Sequence, residues 1–561
     1  MEKIIECVPN FSEGRDLNII KQITDQIELV EGVKLLNVDP GKATNRTVVT
    51  FVGSPKAVIE AAFNAIKKAA ELIDMTRHKG EHSRMGATDV CPLIPVSGVT
   101  MEETVLYAKM LGERVGKELN IPVYLYEEAQ VDSARKNLSI IRAGQYEGFF
   151  EKIKLPQWKP DFGPSEFSVK SGATVIGARD FLVAYNINLN STSTRRANAI
   201  AFDVREGGRV KREGDPLTGK IVTDQNGRPV NIPGSLKSVK AVGWYIEEYG
   251  IAQISMNLTN INITPVHIAF DEVCKKAGER GIRVTGSELV GLVPLNALLD
   301  AGKYFLEKQE RSTGVSEKEL IKIAVKSLGL DELGPFEPEQ RIIEYMLRNK
   351  AKSRLVNMSL TDFADETASE SPAPGGGSIS AYMGALGVAL GTMVANLSSH
   401  KRGWDERWKE FSDIASEGQK YTQELVKLVD EDTLAFNLIM DAFSMPNTTQ
   451  DDKQNRADSI QAATKNAIEV PFRVMETTLK SMHVIKAMAQ NGNPNSASDA
   501  GVGALCARSA VMGAFLNVKI NASGLNDKDF VKKVMEKGTE IERNAKDLEA
   551  EILEIVEKNI A

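Results

Sequence analysis

The sequence predicts a multidomain fold: two α/β subdomains with mixed sheets, followed by an all-α helical domain. Strand-like and helix-like patterns alternate over the first part of the chain. From Arg341 onward nearly every segment has helical period and strand signals vanish. Two stretches rich in Pro and Gly, 155–172 and 328–340, interrupt these patterns. The expected division is 1–180 for the first α/β subdomain, 181–327 for the second, 328–340 for a linker and 341–561 for the helical domain.

Ile4 to Val8 and Arg46 to Val52 are runs of β-branched and apolar residues, read as strands. Pro55 to Asp74 is a helix with proline in its first turn and a broad Ala, Ile and Phe face. An extended segment over Val90 to Val96, a helix over Met101 to Leu119 and a short strand over Pro122 to Tyr126 follow. The second subdomain repeats the style, with a strand at 181–190, a helix at 193–204, strands near 238–245 and 251–258, and a helix at 265–279. Residues 218–234 carry an Asn-Gly pair and two prolines and read as an exposed hairpin. In the last third, Ile379 to Leu397 is uncharged. Its Gly, Ala and Ser content favours a closely packed buried helix, and no transmembrane segment is expected.

Across all 561 residues, 42% are hydrophobic and 26% charged, with a net charge of −7. Nucleic acid and anionic membrane surfaces are therefore poor partners for the chain as a whole, and an anionic small molecule would have to meet a local basic cluster. The four cysteines lack metal or disulfide spacing, and the N-terminus does not read as a signal peptide, so a cytoplasmic location is expected.

One basic cluster stands out: Arg77, His78, Lys79, His82 and Arg84, in the Gly-containing stretch TRHKGEHSRMGATDVCP. His78 and His82 are four apart, as in a helical metal site, but Gly80 and Gly86 favour a loop and no carboxylate or thiol framework accompanies them. No metal is expected. A loop that binds a small anion, with a histidine moving protons, and a merely solvated basic loop both remain open from these residues alone. CVPNFSEGRD follows a strand as active-site loops do, and SGATVIGARD places Gly172, Gly177 and Arg179 before a strand, where turn N–H groups and an arginine suit a carboxylate.

In the helical third, SPAPGGGS sets Gly375, Gly376 and Gly377 before Ser378, either as a flexible loop with Ser378 capping the next helix or as an anion site at its N-terminus. In QELVKLVDEDTLAFNLIM, Leu425, Leu428, Val429, Ala435, Phe436 and Ile439 form one helical stripe, and Asp432 interrupts it. Asp430 and Glu431 lie off the stripe. A carboxylate facing a core must be paired or titrate high, so Asp432 reads either as a structural partner or as a protonated acid.

CVPNFSEGRD, RHKGEHSRMGATDVCPLIPV, GATVIGARDFLVAYNINL and SELVGLVPLNALLDA, in that order over residues 1–327, resemble the glutamate formimidoyltransferase family. The resemblance implies that His82 is the catalytic acid/base. It implies that folate lies along Gly163, Pro164, Ser165, Glu166, Phe167, Ser168, Val169, Lys170, Ser171 and Gly172, with Asn10 and Arg179 near the site. Glycine-turn N–H groups at Gly177, together with Arg77, Lys79 and Arg84, would serve the anionic substrates. PAPGGGS, LVDEDTLAF and SDAGVGALCARSAVMGAFLNVKIN, over 341–561, resemble formimidoyltetrahydrofolate cyclodeaminases, a family shared with methenyltetrahydrofolate cyclohydrolases. That resemblance makes Asp432 the catalytic acid, brings Gly375 to Ser378, Ser498 and Asp499 to the folate, and implies a homo-oligomer built from dimers, in two-domain members a ring.

The implied function belongs to histidine degradation and one-carbon metabolism. A formimidoyl group passes from N-formimidoyl-L-glutamate to N5 of tetrahydrofolate, a polyglutamylated substrate, and 5-formimidoyltetrahydrofolate is then converted to 5,10-methenyltetrahydrofolate and ammonia. The alternatives are a cyclohydrolase in the helical domain, or a scaffold in which the ring assembly outlives catalysis.

Overall fold

The computed structural model describes residues 3–41, 45–80, 83–214, 219–347 and 355–560. The chain forms two compact units. One comprises residues 1–297 and 328–348, the other 298–327 and 349–561.

The first unit holds two main sheets and two short two-stranded ones. The larger combines β1 (Ile4–Cys7), β2 (Asn10–Phe11), β3 (Val33–Gly41), β4 (Arg46–Gly53), β5 (Thr88–Ser97), β6 (Val123–Glu127) and β7 (Thr174–Ala178). β1 and β2 lie end to end between β4 and β5, and β3 flanks β4 on the outside. This half is antiparallel, whereas β5, β7 and β6 run parallel, so the sheet is mixed as expected. The helices Leu17–Glu28, Pro55–Leu72 and Met101–Glu118 share one core with the sheet. Helix Gln145–Lys152 contributes Phe149 to a separate core with Tyr124, Tyr126 and Val175. β5 is buried through its first seven residues because its neighbours are covered on both faces. Within this sheet the Cys7 and Cys91 sulfurs lie 3.5 Å apart as buried free thiols.

The second sheet is antiparallel, in the order β9 (Val239–Ile246), β10 (Ile251–Leu258), β8 (Val183–Leu189), β11 (Val284–Val290). Helices Thr194–Val204 and Val266–Gly278 pack on it, close to their expected bounds. Residues 219–234 form a short hairpin about Asp224 to Arg228, with Thr223 bridged to Pro229 and the Val230 N–H bonded to the Val222 carbonyl, and beyond it Lys220–Ile221 pairs with 212–213 and Asn231–Ile232 with 209–210.

Two segments differ from expectation. Residues 328–340, read as a linker, pack on the second sheet: the Leu328 carbonyl accepts from Ser287 Oγ, and Asn188 donates to Glu332. Residues 298–327, read as part of the α/β region, belong to the helical unit, where Ser312 donates to Asn396 and the Thr313 N–H to Ser412. An amphipathic helix records that it has a buried face but not which core receives it.

The helical unit is built around Gly376–Ser399, Trp408–Ser444, Gln450–Asn491, Ala497–Ala522 and Lys528–Ile560. The first and fourth cross closely because Gly387 and Gly503 meet, and a Cβ on either would press against the other's carbonyl. Two segments, Gly376–Ser399 and Pro494–Ala522, are long and apolar enough to cross a membrane by length and composition. Both pack against the other long helices of this unit.

Candidate active sites

The basic loop of the first unit begins just beyond helix Pro55–Leu72. His82, with Glu81, lies outside the described residues. His78 is buried, donates Nε2–H to the Asn45 carbonyl at 2.8 Å and accepts on Nδ1 from Arg84 Nε at 3.3 Å. Burial holds its pKa below the ordinary histidine value, with the Asn45 bond opposing. The ring is thereby fixed as a neutral anchor. Arg84 is likewise committed, forking onto Glu147 at 2.7 and 2.9 Å and reaching Gln145 at 3.1 Å. It ties the loop to helix Gln145–Lys152 and lines the same shallow recess as Lys79. Arg77 is exposed beside Asp74, and Lys79 lines a shallow recess with Gly80, Gln145 and Glu147.

Asp89, at the start of β5, is fully buried. It accepts the Met85 N–H at 3.0 Å and Arg142 Nη2 at 2.6 Å, so one carboxylate ties the loop after His82 to Arg142. Removing one member of such a buried pair strands the other charge, typically at a cost of about 3–5 kcal/mol. Asp89→Asn should therefore lower the urea midpoint of the α/β unit, read by tryptophan fluorescence. An unchanged midpoint would refute this clamp.

Arg142 opens onto a cleft of about 790 Å³ within the first unit, lined also by Ser83, Gln145, Arg179, Lys240 and Asn260. Arg179 follows β7 directly. Its N–H donates to the Leu93 carbonyl at 3.1 Å and its Nη1 to the Asp180 carbonyl at 3.0 Å. Behind it is Glu6, whose carboxyl burial pushes up to about 7 against the opposing pull of Arg179. Gly177, expected in a turn offering N–H groups, lies inside β7 between Pro92 and Tyr126. A side chain there would strike the Tyr126 ring, so glycine serves packing.

The segment 163–172 does not line this cleft. Phe167 is half-buried among Tyr146, Phe149 and Phe150, with ring centroids 4.7–5.5 Å away. Ser168 and Ser171 hydroxyls bond at 2.7 Å, Lys170 donates to the Glu71 carbonyl, and Gly172, at φ +70°, bridges to Gly86. Gly163, Ser165, Glu166, Val169 and Lys170 are exposed, and Pro164 is half-exposed. Only the Ser171–Gly172 end reaches the loop after His82. Asn10, buried on β2, is held by the Val8 carbonyl and by Arg46. Arg142, Lys240 and Asn260 gave no signal in the sequence, since each stands alone among residues of ordinary loops or strand faces. Asp89 did: like Asp432, it is a carboxylate beside an apolar run.

In the helical unit, helix Gly376–Ser399 starts at Gly376, so Gly376, Gly377 and Ser378 form its first turn rather than a preceding loop. Ser378 is buried and does not cap the helix; Gly375 holds that position. Ser378 Oγ donates to Asp432 Oδ2 at 3.0 Å, and its backbone N–H also bonds that carboxylate. Asp432 thus sits at the positive end of a helix. Burial nevertheless raises its pKa above the usual aspartate value, opposed by the two Ser378 bonds. Leu425, Leu428, Val429 and Ala435 are buried as expected, but Phe436 is exposed, as are Leu434, Leu438, Met440 and Phe443. Ile439 is partly buried against the same core, so of the stripe Phe436 alone faces out. Glu431 lies off it and bonds Arg473 at 2.8 Å. Asn517, not anticipated, lies beside Gly376. Ser498 and Asp499 occupy the first turn of the same helix as Asn517, about 27–29 Å away at 1.5 Å per residue. Within one chain they are not brought to Asp432. Among the described residues no group of three or more His, Cys, Asp or Glu side chains is placed to hold a metal ion.

Residues 4–179 match the family described as formiminotransferase domain, N-terminal subdomain, residues 184–348 the formiminotransferase domain, and residues 359–540 formiminotransferase-cyclodeaminase. The chain is 42% identical to the formimidoyltransferase-cyclodeaminase of Mus musculus, over 99% of this chain and 98% of that protein. It is 43% identical to the glutamate formimidoyltransferase of Thermoplasma acidophilum, over 57% of this chain and 98% of the relative. The methenyltetrahydrofolate cyclohydrolase of Methylorubrum extorquens is 35% identical over 31% of this chain and 84% of its own length.

Proposed function

The chain belongs to the formimidoyltransferase-cyclodeaminase family, and on that premise we propose how its two sites divide the work. It is a bifunctional folate enzyme, a glutamate formimidoyltransferase joined to a cyclodeaminase. In the first unit, tetrahydrofolate N5 attacks the amidine carbon of N-formimidoyl-L-glutamate. The tetrahedral adduct collapses when the glutamate nitrogen is protonated. His82 takes the N5 proton and returns it to that nitrogen. Arg179, with Lys240 in the same cleft, meets the carboxylates.

In the helical unit, N10 of 5-formimidoyltetrahydrofolate attacks the same carbon, the bond to the terminal nitrogen breaks, and ammonia leaves. Asp432 supplies the proton. The observation that carries this assignment is the Ser378–Asp432 pair, a carboxyl whose pKa burial raises while two donors fix its direction. The proposed steps use no metal. The tetrahydrofolate is polyglutamylated, the formimidoyl donor comes from histidine degradation, and the two meet in the cytoplasm. The active form is a homo-oligomer, supported by the exposed Leu434, Leu438, Met440, Phe443, Leu516 and Ile520 of the helical unit.

A Cβ at Gly377 would overlap the Asp432 carboxylate. Gly377→Ala should accordingly displace the acid and lower ammonia release from supplied 5-formimidoyltetrahydrofolate, with glutamate release unchanged. A fully active variant would mean that the carboxylate does its work elsewhere. The cyclohydrolase alternative is tested on the wild type. Release of ammonia from the formimidoyl adduct supports the deaminase, and hydrolysis of supplied methenyltetrahydrofolate without ammonia release from the adduct would overturn it.

A further inference from the structure

A cavity of about 190 Å³ lies in the helical unit, walled by Leu355, Met358, Phe363, Tyr382, Val426 and Val429. It opens at the surface beside Leu360, which is 75% exposed. Val429 precedes Asp432 by three residues on one helix, and Tyr382 follows Ser378 by four on the other. Residues at these spacings are neighbours on a helix face, about 5–6 Å apart. Since Ser378 and Asp432 bond each other, the Tyr382 and Val429 sides of the cavity stand one helical turn from the acid, and residues 355–363 close the rest of it. The Phe363 and Tyr382 rings meet at 5.6 Å on its wall.

The geometry points to this cavity as the seat of the p-aminobenzoyl ring of the folate substrate, an inference that rests on Asp432 being the deaminase acid. Its size exceeds the roughly 150 Å³ of an apolar cavity known to take benzene. Among the described residues of its wall, the Tyr382 hydroxyl is the one side-chain oxygen or nitrogen. The pterin, with its several ring nitrogens and carbonyl, would lose hydrogen bonds there that this lining cannot replace. The p-aminobenzoyl ring has an apolar face and is bonded directly to N10. Seating it one turn from Asp432 therefore brings N10 and the formimidoyl carbon toward the carboxyl, where ammonia must be protonated. The cavity orients the attacking nitrogen and Asp432 serves the leaving one.

The test uses the full chain with Val426→Phe and Met358→Trp, which fill the cavity, and Leu360→Trp, which crowds its mouth from an exposed position and leaves the core untouched. Deamination of supplied 5-formimidoyltetrahydrofolate is measured alongside inhibition and direct binding by 4-aminobenzoylglutamate, which carries the ring and lacks the pterin. Losing burial of one aromatic ring should raise KM roughly 10- to 100-fold. kcat for deamination should fall with it, because N10 loses its orientation, while glutamate release in the first unit stays normal and binding of 4-aminobenzoylglutamate weakens in parallel. Wild-type KM in variants with an active deaminase would overturn the inference, as would equal binding of 4-aminobenzoylglutamate to filled and unfilled proteins. Absence of deamination in the wild type would instead strike the assignment of Asp432, and the binding arm would still decide whether the cavity takes the ring.

Discussion

Asp432→Asn is expected to slow ammonia release from supplied 5-formimidoyltetrahydrofolate by about 10²- to 10⁴-fold, the usual loss when a positioned general acid is removed. Glutamate release should be unaffected, so the variant accumulates 5-formimidoyltetrahydrofolate when given both starting substrates. Asparagine keeps the size of the side chain and can still accept from Ser378 Oγ, but it has no proton to deliver. The pH profile carries the same signature. A group acting as acid is competent below its pKa, so activity falls as pH rises through it, and burial has moved that limb upward from the ordinary aspartate range.

Stability should move the other way. A carboxyl whose folded pKa is raised is most favourable to the fold below its unfolded pKa, and that contribution is lost as pH rises through the folded value. Asparagine escapes the loss, so the variant should unfold at or above the wild-type temperature at neutral pH and match it in acid. Glu431→Gln, one residue away on an ion pair with Arg473, is the control and should retain deamination. Equal, small effects of both substitutions on deamination would make Asp432 a structural carboxylate.

His82→Ala is expected to lower glutamate release by a comparable factor, about 10²- to 10⁴-fold, while deamination of supplied 5-formimidoyltetrahydrofolate proceeds normally. His78 is unsuited to the role, because Asn45 and Arg84 occupy its two ring nitrogens. The loop that carries His82 is fixed at its far side by Arg84 and by the Met85–Asp89 bond, and Ser83 faces the cleft that holds Arg179. Normal glutamate release from the alanine variant would remove His82 from the mechanism.

The elements that the sequence revealed were those with a strong period and a clear boundary, such as Pro55–Leu72 with its leading proline and the long helices after residue 375. Asp432 was legible because a carboxylate breaking an apolar stripe is costly unless something answers it, and Ser378 does. Phe436 was misread, since a helix whose end exposes apolar residues looks in sequence like one that buries them. The pairing of Arg84 was not legible for a different reason. Its partner Glu147 lies 63 residues away, and no local pattern distinguishes a paired arginine from a free one. Ser498 and Asp499 followed the family motif, whereas the length of their own helix separates them from Asp432. The docking of 298–327 on the helical unit depends on side-chain complementarity at Ser312 and Thr313, which helical period does not encode.

The measurement that bears most directly on a two-site folate enzyme is a time course of the wild-type chain with tetrahydrofolate and N-formimidoyl-L-glutamate, following glutamate, ammonia and the methenyl chromophore separately. Glutamate should appear first, and ammonia and the chromophore should then rise together, mole for mole. Ammonia without the chromophore, or glutamate with neither, would contradict the pairing of a transferase in the α/β unit with a cyclodeaminase in the helical one.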